Sequence, residues 1–320
     1  MIFMEQHSSI YVAGHTGMIG KMIVKELQER GFTNIVFRTR KELDLLDQQA
    51  VENFFNTEKP EYVFLAAAKV GGFNAITASP ADFLFENVQI QNNVIWSAYK
   101  HGVKKLLFLS SNCVYPRECI QPMKEEYIMD GKVDPTTESY AIAKITGMEL
   151  CRNISKQYGK NFISCIATNV YGEGDSFDPV SSRIIASLIR KFYEAKIKGE
   201  STVTVWGTGN ARRELLYVSD LAKACVFLME KFDFTLENYC INVGTGEDVS
   251  IKELAEMVRD VIGYTGTILW DASKPEGMQQ KLLDVRKVEK LGWKYEKKMR
   301  TGIQELYKWY LNFRSTEHIS

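Results

Sequence analysis

The sequence lacks several features that would place it in a specialised class of protein. Forty basic residues balance forty acidic ones, so no overall positive field would attract nucleic acid or an anionic membrane. No run of residues approaches the roughly 18 apolar positions that a membrane-spanning helix needs, and no basic segment followed by an apolar one opens the chain. We therefore expect a cytoplasmic protein that has no nucleic-acid or membrane partner.

Cysteine and histidine are few, and their spacing is not typical of a metal site or a disulfide framework. The six cysteines form no CxxC pair and no zinc-type pattern with the four histidines. We expect no metal site and interpret five of the cysteines as buried thiols in a reducing compartment. Cys113 is the exception, because it follows a group of polar residues that is described below.

The residues that are present predict an α/β fold. Apolar residues make up 45% of the chain and charged residues 25%, which is typical of a globular protein with a sizeable core. Short β-type runs alternate with helical patterns over the first two thirds, which predicts a parallel sheet covered by helices. The expected strands lie at 9–14, 34–39, 62–67, 105–111 and 161–169, and the expected helices lie near 18–30, 48–57, 80–101 and 139–158.

The alternation changes after Tyr171, where loops interrupt shorter elements and charges become denser. We predict a Rossmann-type doubly wound parallel sheet over residues 1–170 and a smaller α/β substrate domain over 171–320. The apolar stretch at 239–245 is expected to return to the first sheet. The boundary between the two domains is therefore not a single cut in the chain.

A glycine-rich turn follows the first expected strand. The segment VAGHTGMIG places Gly14, Gly17 and Gly20 between a strand and a helix, close to the dinucleotide-binding fingerprint, in which the backbone approaches a pyrophosphate. The second expected strand ends in Arg38 and Arg40 before any carboxylate, and arginine suits a 2′-phosphate. This pattern favours NADPH over NADH, and the alternative is that both arginines are solvated surface charges.

Further along the chain lies a set of residues suited to proton transfer. Tyr140 and Lys144 stand four residues apart in SYAIAK and so share one helix face. An ammonium group beside a phenol lowers the pKa of the phenol. The fourth expected strand brings Ser111 and Cys113 to the carboxyl edge of the sheet, where open α/β folds bind ligands. A serine hydroxyl there can bond the same carbonyl oxygen as the tyrosine.

The glycine-rich turn, the serine and the YxxxK pair, in this order, resemble an extended short-chain dehydrogenase/reductase. The segments RTRKELDLLD, LLFLSSNCVYP, PTTESYAIAK and VWGTGNARRELLYV, with others, resemble the GDP-L-fucose synthase family across nearly the whole chain. The resemblance implies a homodimeric, NADPH-dependent enzyme that epimerises C3 and C5 of GDP-4-keto-6-deoxymannose and then reduces C4. It implies Ser111, Tyr140 and Lys144 as the reduction triad and Cys113 as an epimerisation residue.

The resemblance also implies a set of binding residues. The expected cofactor-binding residues are Gly14, Thr16, Gly17, Met18, Ile19, Gly20, Arg38, Arg40, Leu45, Ala67, Ala68, Lys69, Leu109, Ser110, Lys144, Ala167, Asn169, Val170 and Arg183. The expected substrate-binding residues are Ser111, Asn112, Tyr140, Asn169, Arg183, Lys191, Trp206, Arg213, Asp271 and Lys281. The dehydratases of the superfamily carry an acidic pair after the serine, and Asn112-Cys113 in its place disfavours a 4,6-dehydratase.

Arg183 departs from the family pattern. It stands where the epimerising enzymes carry a histidine acid, and a guanidinium is effectively never deprotonated, so it cannot return a proton to carbon. None of His7, His15, His101 and His318 is expected to reach the sugar and replace that acid. The sequence therefore predicts that one half of the epimerisation machinery is missing.

The pattern around Arg183 predicts an amphipathic helix with Ser181 or Ser182 as its N-cap, which puts Arg183 in the first turn, where a cation opposes the helix dipole. We expect its charge to meet an anionic cofactor or nucleotide-sugar, and the alternative is a tolerated surface residue. Thr16 and Lys191 depart from the pattern too, since each stands in place of a family arginine.

These departures favour a C4 reductase that acts on a GDP-4-keto-6-deoxy hexose or heptose in surface-glycan precursor synthesis and has lost its epimerase activity. In this interpretation Cys113 lines the pocket, and a residual acid/base role is the alternative. Two other functions stay open at this point. One is a bifunctional GDP-L-fucose synthase, and the other is a non-catalytic NADPH-binding protein.

Overall fold

The computed structural model describes residues 4–179, 182–274 and 277–317. The strands are β1 (Ile10–Ala13), β2 (Ile35–Val36), β3 (Tyr62–Leu65), β4 (Lys105–Ser111), β5 (Asn161–Ala167), β6 (Asn169–Tyr171), β7 (Thr202–Trp206), β8 (Arg212–Tyr217), β9 (Cys240–Val243), β10 (Asp248–Ser250), β11 (Thr267–Asp271) and β12 (Gln280–Lys281). The helices are α1 (Met18–Glu29), α2 (Gln48–Glu58), α3 (Phe73–Ala78), α4 (Pro80–Lys100), α5 (Glu138–Tyr158), α6 (Ile184–Lys198), α7 (Val218–Lys231), α8 (Ile251–Ile262), α9 (Arg286–Lys290) and α10 (Met299–Glu317).

A six-stranded parallel sheet in the order β2-β1-β3-β4-β5-β9 forms the centre of the fold. Its inner strands are buried almost throughout, because helices cover both faces, as is usual for a parallel sheet. Helix α1 packs against α7, and α4 packs against α2 and α5. The predicted α/β fold with a Rossmann-type parallel sheet is confirmed.

Four of the five expected strands are shorter than the sequence pattern indicates, and two of them differ most. The second covers only Ile35–Val36, whereas 34–39 was expected, and the run expected at 161–169 divides at Thr168. The division is caused by contacts with β8, since the Thr168 hydroxyl and the Asn169 side-chain amide both donate to the backbone oxygen of Glu214. The chain therefore leaves the central sheet, and β6 pairs with β8 instead.

The later part of the chain builds smaller sheets beside the central one. Strand β8 pairs with β6, β10 and β12, while β7 pairs with β11. Strand β9, which lies between these elements in sequence, pairs with β5 at the edge of the central sheet. A domain boundary at residue 170 stays a prediction. None of the described helices combines the length and apolar character needed to cross a membrane.

The Glu214 side chain forms hydrogen bonds with several of these later segments. Its side chain is fully buried in β8; Oε1 accepts the backbone N–H groups of Thr245 at 2.6 Å and Gly246 at 2.7 Å. Its Oε2 accepts the backbone N–H of Leu283 at 2.9 Å. One carboxylate thus holds the loop after β9 and the segment after β12 against β8.

The cysteines differ slightly from expectation. All six are free thiols. Cys113 is buried together with Cys151, Cys165, Cys225 and Cys240, whereas Cys119, which was expected to be buried, is partly exposed.

Candidate active site

The glycine-rich turn between β1 and α1 packs closely against neighbouring backbone. Gly14 has φ +86°, and a Cβ atom there would lie 2.7 Å from the backbone of Ala67. A Cβ on Gly20 would lie 2.1 Å from the backbone oxygen of Gly14. Gly17, the N-cap of α1, has no side chain to bond the first N–H groups of the helix, so these groups can bind an anion. The turn therefore fits a dinucleotide pyrophosphate.

The two arginines after β2 have different surroundings. The Arg38 Nη2 atom lies 2.6 Å from Glu58 Oε1, and Nη1 donates to the backbone oxygen of Phe37 at 2.8 Å. Arg40 is 74% exposed, with its Nε atom 4.0 Å from Asp44 Oδ1. Glu58, at the end of α2, was not anticipated from the sequence. Arg40 is therefore the more accessible donor for a 2′-phosphate.

The remaining expected cofactor residues lie along the carboxyl edge of the central sheet or beside it. Lys69 is fixed by a backbone bond to Asn87 Oδ1 at 2.9 Å and by an ion pair with Glu86. The Leu45 backbone oxygen accepts from the Asn93 side chain at 2.9 Å. Thr16 is exposed in the glycine-rich turn. The others are Met18 and Ile19 in α1, Ala67 and Ala68 after β3, Leu109 and Ser110 in β4, Ala167 at the end of β5, and Asn169 and Val170 in β6.

Lys144 and Tyr140 lie on the inner face of the first turns of α5. The Lys144 Nζ atom donates to the backbone oxygen of Leu109 at 2.9 Å and lies 5.6 Å from the Tyr140 ring centroid. Burial lowers the pKa of Lys144 to about 8. Burial also raises the pKa of Tyr140, while the charge of Arg183 acts in the opposite direction. Tyr140 is therefore a protonated phenol at neutral pH and can act as a proton donor.

Ser111 and Cys113 stand where β4 ends and a single helical turn begins. Burial raises the pKa of the Cys113 thiol, and the nearby Lys281 and Ser111 oppose that rise. Burial lowers the pKa of Lys281. The side-chain nitrogen of Asn112 is buried and has no hydrogen-bond partner among the described residues. The thiol is therefore held in its neutral form close to a cation.

A cavity of about 440 Å³ opens between α6 and strands β6, β7, β8 and β12. Six of the ten expected substrate residues line it: Asn169, Arg183, Lys191, Trp206, Arg213 and Lys281. Several others were not expected from the sequence, among them Asp134, Thr136, Thr137, Asp175, Arg190 and Met278. Thr136 and Thr137 belong to the PTTESYAIAK segment, and this was the signal that could have found them. Asp175 and Arg190 lie in a loop and within a helix without a recognisable motif, so only their place between motif residues could have suggested them.

The other expected substrate residues have different positions. Ser111, Asn112 and Tyr140 lie at the end of β4 and the start of α5, outside the lining of this cavity as the described residues define it. Asp271 accepts hydrogen bonds from the hydroxyl group and the backbone N–H of Ser273 at 2.6 and 3.1 Å, and it does not line the cavity within the described ranges either.

Two of the residues in the cavity wall show how nucleotide contact could arise. The Lys191 Nζ atom donates to the Thr204 backbone oxygen at 3.0 Å, and burial lowers the pKa of this lysine. Trp206 is 46% exposed, and the Lys274 Nζ atom lies 5.5 Å from its ring centroid. A half-exposed indole beside a cation is suited to stacking on a nucleotide base.

The structure corrects the expected position of Arg183 in its helix. Helix α6 begins at Ile184, and Arg183 itself is the N-cap, in extended conformation. Ser181 lies outside the described residues, and Ser182 is not the cap. Arg183 therefore avoids the first turn, and its side chain is free to turn back toward the preceding loop.

That side chain meets a carboxylate. The Arg183 Nη2 and Nε atoms lie 2.8 and 3.2 Å from Asp175 Oδ1, and Nη2 lies 3.4 Å from the sulfur of Met18 in α1. Asp175 is buried, whereas the Arg183 side chain is 41% exposed. The expectation that the arginine charge would be available to an anion is thus met only in part, because an ion pair already engages one side of the guanidinium.

None of the described histidines lines the cavity. His7 bonds Thr33, His15 stacks on Phe37 with ring centroids 4.5 Å apart, and His101 bonds Glu52. His318 lies outside the described residues.

Comparison with known proteins agrees with this geometry. A model of the NAD dependent epimerase/dehydratase family matches residues 10–244. GDP-L-fucose synthase 1 of Arabidopsis thaliana is 50% identical, covering 96% of this chain and 94% of the relative. GDP-L-fucose synthase of Escherichia coli is 45% identical, covering 94% and 96%.

Two solved structures are similar over almost the whole chain. A GDP-6-OMe-4-keto-L-xylo-heptose reductase from C. jejuni has a TM-score of 0.93 and 39% identity, covering 98% of this chain and 100% of the other. A GDP-mannoheptose C4 reductase from Campylobacter jejuni with NADP bound has a TM-score of 0.88 and 41% identity, covering 96% and 99%.

The parallel sheet with its glycine-rich turn and the matching family model define a nicotinamide-dependent oxidoreductase of the NAD dependent epimerase/dehydratase family. Within that class the chain belongs to the GDP-L-fucose synthase family, given its identity of 45% or more to such relatives over nearly its full length.

Proposed function

We propose that this protein is an NADPH-dependent reductase of the C4 ketone of a GDP-linked 4-keto-6-deoxy sugar, and that it has lost epimerase activity. The observation that carries the proposal is the ion pair between Arg183 and Asp175 in the cavity wall. An arginine held in this way stands where the family resemblance places the acid of the epimerases, while the residues needed for reduction are all present.

The reduction step uses Ser111, Tyr140 and Lys144. When bound, NADPH supplies a hydride for C4. The hydroxyl groups of Ser111 and Tyr140 hold the ketone oxygen, and Tyr140 donates its proton to that oxygen as the alcohol forms. The Lys144 ammonium stabilises the resulting tyrosinate and returns a proton to it. One hydride and one proton convert the ketone to the alcohol.

Epimerisation needs a base on one face of the sugar and an acid on the other. Cys113 stays a neutral thiol, which cannot take up the sugar proton, because burial raises the pKa of this group. Arg183 keeps its proton at every accessible pH, so it cannot supply the acid. We therefore assign Cys113 to the lining of the sugar site.

The substrate is a GDP-4-keto-6-deoxy hexose or heptose. Similarity to the two Campylobacter jejuni reductases supports a heptose, and similarity to GDP-L-fucose synthases supports a hexose. We place the reaction in the synthesis of surface-glycan precursors in the cytoplasm. Exposed Phe85, Trp96 and Ile142 on α4 and α5 support a homodimer formed through these helices.

The test combines two measurements on purified protein. NADPH oxidation is followed with a panel of GDP-4-keto-6-deoxy hexoses and heptoses, and the product stereochemistry at C4 is assigned by NMR. A second incubation in D2O without NADPH follows the proton signals at C3 and C5. We expect NADPH consumption with at least one member of the panel and no deuterium at either carbon. Absence of turnover with every member would refute the reductase.

A bifunctional GDP-L-fucose synthase is the second candidate. It is favoured by the identity of 50% to GDP-L-fucose synthase 1 of Arabidopsis thaliana and by the presence of Cys113. The incubation in D2O separates the two functions, because deuterium at C3 or C5 before any reduction requires an epimerase.

A further inference from the structure

The two carboxylate oxygens of Asp175 have different environments. Oδ1 accepts from two nitrogens of Arg183 and from the backbone N–H of Ser176 at 2.9 Å. Oδ2 is buried and has no hydrogen-bond partner among the described residues. Asp175 as a whole is only 4% exposed. A buried carboxylate oxygen without a donor is costly, so its presence in the structure calls for an explanation.

Asp175 lines the cavity that holds most of the expected substrate residues. The buried hydroxyl oxygen of Thr137 is likewise unpartnered within the described part of the chain, and Thr137 lines the same cavity. Thr137 caps α5 three residues before Tyr140. Two residues that each carry a buried oxygen without a partner among the described residues therefore line one cavity, and one of them, Thr137, is close in sequence to the proposed proton donor.

The charge of the Asp175–Arg183 pair indicates what kind of group would bind Oδ2. The pair is neutral as a whole, and a diphosphate oxygen would be repelled by a carboxylate oxygen because neither can donate a hydrogen bond. A hydroxyl group can donate, needs no compensating charge, and is the commonest polar group on a sugar. The Arg183 charge also opposes the rise that burial causes in the pKa of Tyr140, the expected proton donor.

We propose that Asp175 Oδ2 accepts a hydrogen bond from a hydroxyl group of the substrate sugar, and that Arg183 is the positioning residue that orients the carboxylate for this contact. The proposal rests on the proposed function, because it requires a GDP-linked sugar in the cavity. Asp175 then determines specificity, since a sugar that lacks the hydroxyl leaves a buried acceptor unpaired.

The experiment measures binding, without turnover, by titration calorimetry in the presence of NADP⁺. The probes are GDP, GDP-mannose and the monodeoxy derivatives of GDP-mannose. They are titrated into the wild-type protein, the Asp175→Asn variant and, as a matched control, Asp178→Asn, which makes the same chemical change at an exposed position of the same loop. Asparagine keeps the size of the side chain but can present an amide donor where Oδ2 was.

We expect Asp175→Asn to weaken GDP-mannose binding about 10- to 100-fold, with GDP affinity unchanged. The wild type should bind one monodeoxy derivative more weakly than GDP-mannose, by a similar factor. Asp175→Asn should bind that derivative and GDP-mannose with almost the same affinity. The Asp178→Asn control should match the wild type. A merely structural role for Asp175 would lower the affinities for GDP and GDP-mannose together, and this result would overturn the proposal.

The derivative series also tests the proposal without any variant. If Asp175→Asn does not fold, the wild type must still discriminate against at least one monodeoxy derivative about tenfold or more, and equal binding of all of them refutes the hydroxyl contact. Failure of the proposed function has a separate signature. In that case the wild type neither binds GDP-mannose nor oxidises NADPH with any keto-sugar, whereas failure of the inference alone leaves both intact.

Discussion

Arg183 and Asp175 form a partly buried ion pair, 2.8 Å between Nη2 and Oδ1, in the wall of the cavity beside the glycine-rich turn. The pair connects the loop before α6 to Met18 at the start of α1. By the family resemblance, the pair stands where the epimerising enzymes carry a histidine acid.

Replacing Arg183 by histidine should introduce epimerase chemistry. An imidazole beside Asp175 can donate and accept a proton near neutral pH, whereas the guanidinium cannot. We expect Arg183→His to incorporate deuterium at C3 or C5 of GDP-4-keto-6-deoxymannose in D2O without NADPH, as seen by NMR. Arg183→Gln is the matched control, since it removes the charge without supplying an acid, and it should show no exchange. Exchange by the wild type at the same rate would contradict the lost-acid interpretation.

Removing the Tyr140 hydroxyl should stop reduction while leaving cofactor binding intact. General-acid catalysis contributes about 10²- to 10⁴-fold, so we expect kcat of Tyr140→Phe to fall by this factor. NADPH affinity, measured by fluorescence titration, should not change. Tyr158→Phe is the control on the same helix, because Tyr158 lies at its exposed end. Turnover by Tyr140→Phe at the wild-type rate would rule out the phenol as proton donor.

Lys144 should make reduction depend on pH in the alkaline range. Burial lowers the pKa of Lys144 to about 8, so the ammonium loses its proton well below the usual range for lysine. Reduction requires the protonated form, and kcat should therefore fall about tenfold per pH unit above that value. The arginine of Lys144→Arg keeps its charge at alkaline pH. The kcat of this variant should therefore not fall above pH 8, even if it is lower than that of the wild type at every pH. A wild-type profile that stays level far above pH 8 would show that the charge is not required.

Arg40 should account for most of the proposed preference for NADPH. Its exposed guanidinium can reach a 2′-phosphate, whereas Arg38 is held by Glu58. A lost charge-assisted contact corresponds to about 10- to 100-fold in affinity, so Arg40→Ser should raise KM for NADPH by this factor and leave KM for NADH unchanged. Lys41→Ser, at the neighbouring exposed position, is the control and should leave both values as they are.

The glycine-rich turn and the long helices could be predicted because each depends on a local pattern. The roles of Ser111, Tyr140 and Lys144 stay a prediction. Gly14 and Gly20 lie so close to neighbouring backbone atoms that a Cβ atom would collide with them. Only glycine is tolerated at such positions. The helix pattern at 139–158 also agrees closely with α5. These features need little information from the rest of the chain.

Features that depend on contacts between distant segments could not be predicted. The division of the run at 161–169 is caused by hydrogen bonds to Glu214, and the limited availability of Arg38 is caused by Glu58. The apolar pattern after Arg183 correctly predicted an amphipathic helix, but the helix begins at Ile184 and Arg183 is its N-cap. Asp175, its partner, lies in a loop whose sequence GEGDSF has no periodicity that would indicate a buried carboxylate.

Glu214 should contribute strongly to stability. Its carboxylate accepts three backbone N–H groups in a buried site, and Gln cannot accept all three because its amide nitrogen is a donor. An unsatisfied buried donor costs about 1–3 kcal/mol, so Glu214→Gln should lower the free energy of unfolding, measured in urea, by about that amount. Glu256→Gln, on the exposed face of α8, should change it little, and an equal effect of both variants would argue against the network.

The return of β9 to the central sheet limits how the enzyme can be recombined with its relatives. Strand β9 completes the edge beside β5, but the segments on both sides of it line the cavity proposed to bind the sugar. A chimera that exchanges the substrate-binding part through one junction near residue 170 would also replace this edge strand by a foreign one. Transfer of specificity between family members therefore requires at least three junctions, two of them flanking β9, if the host sheet is to keep its own edge.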